Sequence, residues 1–140
     1  MPGMGVVRGR EDYDRFRQAF HAGDYDTAFE YLVDQPRLNI FGVRMTTPIQ
    51  LGRLYRFLRD YVRETMLVEK FALSEDFVAV EAVLRVEGLQ DLDALRLREQ
   101  GLHLFHPIKA GEVQIMRNFV HYHLNGDGKI ESGACFAAPA

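Results

Sequence analysis

Apolar residues recur at helical spacing in the first part of the chain and at every second position further on. Between Glu11 and Ala22, the residues Phe16, Ala19 and Phe20 share one face, which predicts a helix closed by Gly23. Asp24 is placed to cap a second helix reaching about Val33, with Ala28, Phe29, Leu32 and Val33 at helical spacing. Pro36 stops that helix, and Arg37 to Phe41 predicts a short strand before Gly42. Thr47 as a cap and Pro48 at the first helical position open a third helix. Its apolar stripe is Leu51, Leu54, Tyr55, Leu58 and Val62, with Arg53, Arg56, Arg59 and Arg63 on the other side.

The period then changes from helical to alternating. Glu64 to Leu73 and Phe77 to Glu87 predict an antiparallel pair joined by Ser74-Glu75-Asp76, the second strand carrying Val78, Val80, Ala82, Leu84 and Val86 on one face. Leu89 to Gln100 is an insertion with a short surface helix, and Gly101 to Gly111 a loop holding His103, His106 and Pro107. From Glu112 a long strand sets Val113, Ile115, Phe119 and His121 against Met116, Asn118, Val120 and Tyr122. Asn125-Gly126-Asp127-Gly128 supplies a tight hairpin, because these residues tolerate positive φ. Lys129 to Phe136 returns with Ile130, Ala134 and Phe136 on one side. Helices first and strands after predict an α+β fold, with residues 1–10 a flexible start and 11–140 a single domain. A strand this long floors a curved sheet, and the helices close over it to leave a small apolar pocket.

A chain of 140 residues buries roughly two-thirds of its unfolded surface. A net charge of −3 argues against a nucleic-acid partner, and Asp60 and Glu64 break up the arginines of the third helix, which read as a solvated face. The single cysteine, Cys135, lies in a strand and reads as a buried, inert thiol in a reducing compartment. No apolar run approaches the roughly 20 residues of a membrane helix, and the Gly-rich start lacks the apolar segment of a signal peptide. A cytoplasmic protein without membrane contact is expected.

Four segments in order resemble one superfamily. Phe20-His21-Ala22-Gly23-Asp24-Tyr25-Asp26 resembles the link between the first helices of nuclear transport factor 2-like domains. Asn39-Ile40-Phe41-Gly42, with the helix from Pro48, resembles the corresponding strand and helix of ketosteroid isomerases. Pro107 to Val113 is similar to a turn of SnoaL-type polyketide cyclases, and Gly128-Lys129-Ile130-Glu131 to the hairpin near that family's end. The resemblance implies a cone-shaped barrel of three N-terminal helices packed into a strongly bent, mostly antiparallel sheet. It further implies a pocket for a small apolar molecule and a homodimer through the outer sheet face. Superfamily members include isomerases, cyclases, dehydratases, epoxide hydrolases and domains that catalyse nothing, so the fold leaves the activity open.

The family's isomerase chemistry needs a carboxylate base and neutral donors to an enolate oxygen. Carried over by spacing, its tyrosine falls on Phe16, its base on Asn39 and its second donor on Val120, as does the cyclase acid. None of these side chains takes a proton at neutral pH. Parity turns Asn118, Val120 and Tyr122 inward, and a hairpin turn at Lys109 to Gly111 would set His103 opposite Asn118. His103 is then the candidate general base, with Tyr122 and Asn39 as donors to a substrate oxygen. The expected ligand-binding residues are Phe16, Phe20, Phe41, Tyr55, Asn118 and Val120. His121 and His123 form an H-x-H pair of metal-ligand spacing but face away from the pocket, so neither a metal nor a cofactor is assigned. Three readings stand side by side: a small-molecule-binding domain with a modest isomerase, cyclase or dehydratase activity; a non-catalytic binding or dimerising domain whose pocket aromatics fill; and a metal-dependent enzyme using the histidines.

Overall fold

A computed structural model describes residues 5–102 and 105–139. Helix α1 (Arg10–Ala22) buries Tyr13, Phe16 and Phe20 and ends on Gly23 at φ 80°, a backbone angle glycine adopts without a Cβ penalty. Ahead of it, Val7 is 3% exposed and donates its N–H to the Gly128 carbonyl at 2.8 Å, which ties residues of the chain's start to the far hairpin. Asp24 caps α2 (Tyr25–Phe29), its Oδ1 accepting from the Thr27 N–H at 3.3 Å. Helix α3 (Pro48–Tyr61) opens with a full capping box, Gln50 N–H to Thr47 Oγ1 at 3.2 Å and Thr47 N–H to Gln50 Oε1 at 3.1 Å.

The second helix is shorter than its periodicity predicts, because strand β1 (Leu32–Ile40) claims Leu32 and Val33. Leu32 pairs in parallel with Ile130, and the Ile130 N–H reaches the Tyr31 carbonyl at 2.8 Å. Pairing to a distant strand thus overrides local helical spacing. Pro36 does not end a helix. It sits in β1 where the register with β6 shifts between Leu32 and Arg37, a stretch in which no ladder bond is asked of it.

The other strands are β2 (Val43–Met45), β3 (Val62–Leu73), β4 (Phe77–Gly88), β5 (Val113–Leu124) and β6 (Ile130–Pro139), with a short helix α4 (Ala94–Glu99) in the insertion. They form one six-stranded sheet in the order β2-β1-β6-β5-β4-β3, parallel only between β1 and β6. The sheet is unclosed, with β2 and β3 at its edges. Register shifts within β1, within β3 after Val68 and within β5–β6 beside Leu124 mark the bulges that let such a sheet bend around a core. The shift beside Leu124 also corrects the expected face of β6. Ile130 and Cys135 are buried, whereas Phe136 is 45% exposed, because the extra residue flips parity between the two ends of the strand.

Helices α1 and α3 cover the inner face of the sheet, where Val78, Val80, Ala82, Leu84, Asn118, Val120 and Cys135 lie. The outer face exposes Ile115, Phe119 and Phe136, with Phe119 and Phe136 directly opposite one another on β5 and β6. Among the described residues no helix is long and apolar enough to cross a membrane.

Candidate functional site

Between the helices and the inner sheet face lies a cavity of ≈ 50 Å³. Helix α1 contributes Tyr13, Phe16, Arg17, Phe20 and His21, helix α3 contributes Tyr55, and the sheet contributes Glu64, Asn118, Val120 and Tyr122. The aromatic wall is closely interlocked: Phe16 meets Tyr122 edge-on at 5.8 Å, and Phe20 lies 4.9 Å from Tyr55. Phe41, Glu64 and Leu84 also wall a second cavity of ≈ 100 Å³, lined further by Leu92, Phe105, His106 and Met116. Glu64, Phe20, His21 and Tyr55 in addition border a wider cleft of ≈ 340 Å³, where α3 runs into β3 beside Arg59 and Arg63. The three spaces meet around Glu64.

The turn between β1 and β2 places Phe41. Ile40 pairs with Val43, and the two residues between them both have positive φ, 49° at Phe41 and 85° at Gly42. That is the pattern of a type I′ hairpin, in which Asn-Gly is the comfortable pair and a phenylalanine is strained. Among the described residues Phe41 alone combines a side chain with positive φ, and its ring stands against both cavities. Asn39 supports this turn: its Oδ1 accepts the Gly42 N–H at 2.9 Å. Lying between the inward Leu38 and Ile40, it does not line the cavity.

The polar groups of the cavity are set by burial. Among the described residues, no hydrogen bond or ion pair engages the hydroxyls of Tyr13, Tyr55 and Tyr122 or the carboxyl of Glu64. Burial pushes the Glu64 carboxyl up to about 7. The Tyr122 hydroxyl is held well above its ordinary range by burial first and then by Tyr13. For Tyr55 burial leads and the charge of Glu64 follows. Burial, and after it the Arg17 guanidinium, pulls the His21 imidazole down to about 4. At neutral pH the site therefore holds neutral phenols, a neutral imidazole and a carboxyl near half-ionisation. Arg17 has a buried Nε without a partner, and its Nη2 stands 3.6 Å from Asp14. On the floor, the Cys135 thiol donates to Asn118 Oδ1 at 3.1 Å, and burial pushes that thiol up to about 12.

The residues expected at a ligand site, Phe16, Phe20, Phe41, Tyr55, Asn118 and Val120, line the ≈ 50 Å³ cavity together with Tyr122. Asn39 is not among them, and His103 lies outside the described residues. The turn at Lys109 to Gly111 does not lead the chain back along β5. Strand β5 is paired on one side by β4 and on the other by β6, while Ile108 bridges to Leu92. His121 and His123 stand on the outer face against the Phe77 ring, at 5.3 and 5.0 Å, and no group of three metal-ligating side chains exists among the described residues. Glu64 and His21 did not stand out in the sequence. Glu64 shares parity with Met66 and Val68 on β3, a signal that could have placed it inside.

No protein-family model matches this sequence, and no curated protein matches it significantly. Solved structures do resemble it. A SnoaL-like polyketide cyclase of Agrobacterium tumefaciens superposes with TM-score 0.71 at 11% identity, covering 94% of this chain and 93% of its own. An NTF2-like protein of unknown function from Burkholderia pseudomallei gives 0.69 at 11% identity, over 99% and 92%. A protein of Catenulispora acidiphila with a ketosteroid isomerase-like fold, in complex with trimethylamine, gives 0.64 at 12% identity, over 89% and 82%. Together with the six-stranded unclosed sheet and the helices on its inner face, these likenesses show that the chain has the nuclear transport factor 2-like fold.

Proposed function

We propose that this protein binds a small, largely apolar molecule carrying an oxygen function in the cavity beneath α1 and α3, and acts on it in the manner of an isomerase, cyclase or dehydratase. One observation carries the reading: Tyr13, Tyr55 and Tyr122 bring hydroxyls without hydrogen-bond partners among the described residues to one aromatic-walled space. These hydroxyls face the cavity, where a ligand oxygen would give them partners. The likeness to a SnoaL-like polyketide cyclase and to a ketosteroid isomerase-like fold supports a cyclic, oxygenated ligand. The interlocked rings of Phe16, Phe20, Tyr55 and Tyr122 favour a second reading, a non-catalytic domain whose pocket is plugged by its own aromatics. In either case the exposed Ile115, Phe119 and Phe136 support a homodimer through the outer sheet face, which sedimentation equilibrium would detect.

The test is native mass spectrometry of the purified protein for a copurifying small molecule, followed by thermal-shift titration with steroids, aromatic polyketides and short-chain acids. A ligand that binds only the folded state raises the melting temperature with concentration. The first reading requires such a shift, and requires that Tyr122→Phe weakens it. A protein that shifts with no member of the panel and carries no molecule of its own favours the plugged pocket.

A further inference from the structure

The two cavities and the cleft converge on one acidic side chain that, among the described residues, no hydrogen bond or ion pair engages. Glu64 is the third residue of β3, opposite Val86 and directly after the end of α3. It lines the aromatic cavity, the apolar cavity and the open cleft. No cation and no hydrogen-bond donor among the described residues holds its carboxylate. Exposed glutamates pair or hydrate, whereas an unpaired one set against apolar walls is costly to keep and needs a reason.

We propose that Glu64 is the acid–base residue of this site, taking a proton from a carbon acid bound in the cavity and returning it. The proposal rests on the reading above that the cavity takes a small apolar oxygenated molecule. It places the proton-transferring group on β3, away from Phe16, Asn39 and Val120, where the resemblance pointed and where no acid stands.

The surroundings suit that work. With its carboxyl pushed up to about 7 by burial, Glu64 presents both acid and base forms at neutral pH, the condition for efficient proton transfer in either direction. The groups that face the same spaces come from every packed element: Tyr13, Arg17 and His21 on α1, Tyr55 and Arg59 on α3, Arg63 on β3, His106 from the loop, and Tyr122 and Cys135 on the floor. Among these, His21 is pulled down to about 4 and is a poor base, and the Cys135 thiol stays protonated. Tyr55 lines the same cavity as Glu64, and its hydroxyl would donate to an oxygen that gains charge as the proton leaves.

The probe is 5-nitrobenzisoxazole, a small apolar carbon acid. Its ring proton passes to the Glu64 carboxylate, the electron pair of that C–H bond completes a nitrile, and the N–O bond breaks with its pair leaving on a phenolate oxygen. Glu64 then loses the proton to water. Release of the yellow 2-cyano-4-nitrophenolate reports the rate. The wild-type protein should exceed an equal concentration of acetate by ~100-fold or more, with a rate that climbs with pH through about 7. Glu64→Gln should lose ~100-fold while binding the product phenol as tightly as the wild type in a thermal-shift titration. Glu64→Ala should regain rate with added acetate, which guards against a folding defect. His121→Gln, on the outer face, should leave the rate unchanged. If the wild-type protein binds the product phenol but its rate survives Glu64→Gln, or falls only with His21→Gln, the role of Glu64 is overturned and the pocket stands. If neither probe nor product shifts the melting temperature, the pocket reading itself fails, and this proposal with it.

Discussion

The thiol of Cys135 points its proton at the amide oxygen of Asn118 across 3.1 Å, a polar bond between β6 and β5 in an otherwise apolar floor. Among the described residues Asn118 is the buried polar side chain of the core, at 4% exposure. A buried amide lacking its partner costs about 1–3 kcal/mol, so the pair should behave as a unit. Asn118→Ala is expected to destabilise by ~2 kcal/mol, adding a small cavity to the lost bond. Cys135→Ala should cost ~1 kcal/mol, and the double variant less than the two together. Urea denaturation of all four proteins measures this, and strict additivity would mean the bond contributes nothing.

Two half-buried groups oppose one another in the pH dependence of stability. Glu64 is pushed up from its ordinary 4.5 to about 7, so the folded state binds its proton more tightly than the unfolded one. Its contribution is complete below pH 4.5 and is lost as pH rises through about 7. His21 is pulled down from 6.5 to about 4, so its contribution is complete above pH 6.5 and is lost as pH falls toward 4. Each effect is about 3 kcal/mol at most, and in the wild-type protein they nearly cancel between the two ordinary values. The variants should separate them. Relative to wild type, Glu64→Gln should become more stable as pH rises over that window, and His21→Gln less stable. Chemical denaturation at a series of pH values reads both slopes, and parallel profiles for all three proteins would refute the assignment.

Sequence pattern carries far where one rule acts alone. Thr47, Pro48 and Gln50 announce the start of α3 because capping is local, and parity places Asn118, Val120 and Tyr122 on the inner face because β5 runs without a bulge until Leu124. It fails where a distant partner decides. Leu32 and Val33 carry helical spacing, yet Ile130 recruits them into β1. The register shift beside Leu124 turns Phe136 outward, and the extra residue, Glu131, leaves no mark in a run of Ile-Glu-Ser-Gly. Glu64 was hidden by its own chemistry: a glutamate beside Arg63 reads as solvated until α3 and α1 are laid across it. For Asn39 the clue was present, since a residue between the inward Leu38 and Ile40 must face the other way.

Gly133 makes room for the Tyr122 ring. The two are paired on β6 and β5, and a Cβ at Gly133 would run into that ring and come within 2.8 Å of the His121 carbonyl oxygen. Backbone cannot yield cheaply, so the ring would be driven into the cavity. Gly133→Ala should cost about 1–3 kcal/mol as an overpacked core does, and weaken binding of any pocket ligand more than Tyr122→Phe does. The paired measurement is thermal melting and ligand titration. A variant as stable and as tight-binding as wild type would show that the ring has another place to go.

Phe41 sets backbone strain against packing. Its φ of 49° costs a side-chain-bearing residue about 1–2 kcal/mol, while its ring meets Phe105 edge-on at 5.0 Å and lines both inner cavities. Phe41→Asn would suit the turn and remove the ring, whereas Phe41→Leu would keep the strain and still lose the aromatic contact. Apolar burial alone ranks leucine above asparagine here, and the turn ranks them in reverse. We expect the asparagine variant to be at least as stable as the leucine variant and within ~2 kcal/mol of wild type, because relief of strain offsets much of the lost burial. Removing the ring should also join the ≈ 50 and ≈ 100 Å³ cavities, so Phe41→Asn should admit bulkier ligands than the wild-type protein in the same thermal-shift panel. A leucine variant clearly more stable than the asparagine variant would mean that packing, and not the left-handed turn, governs this position.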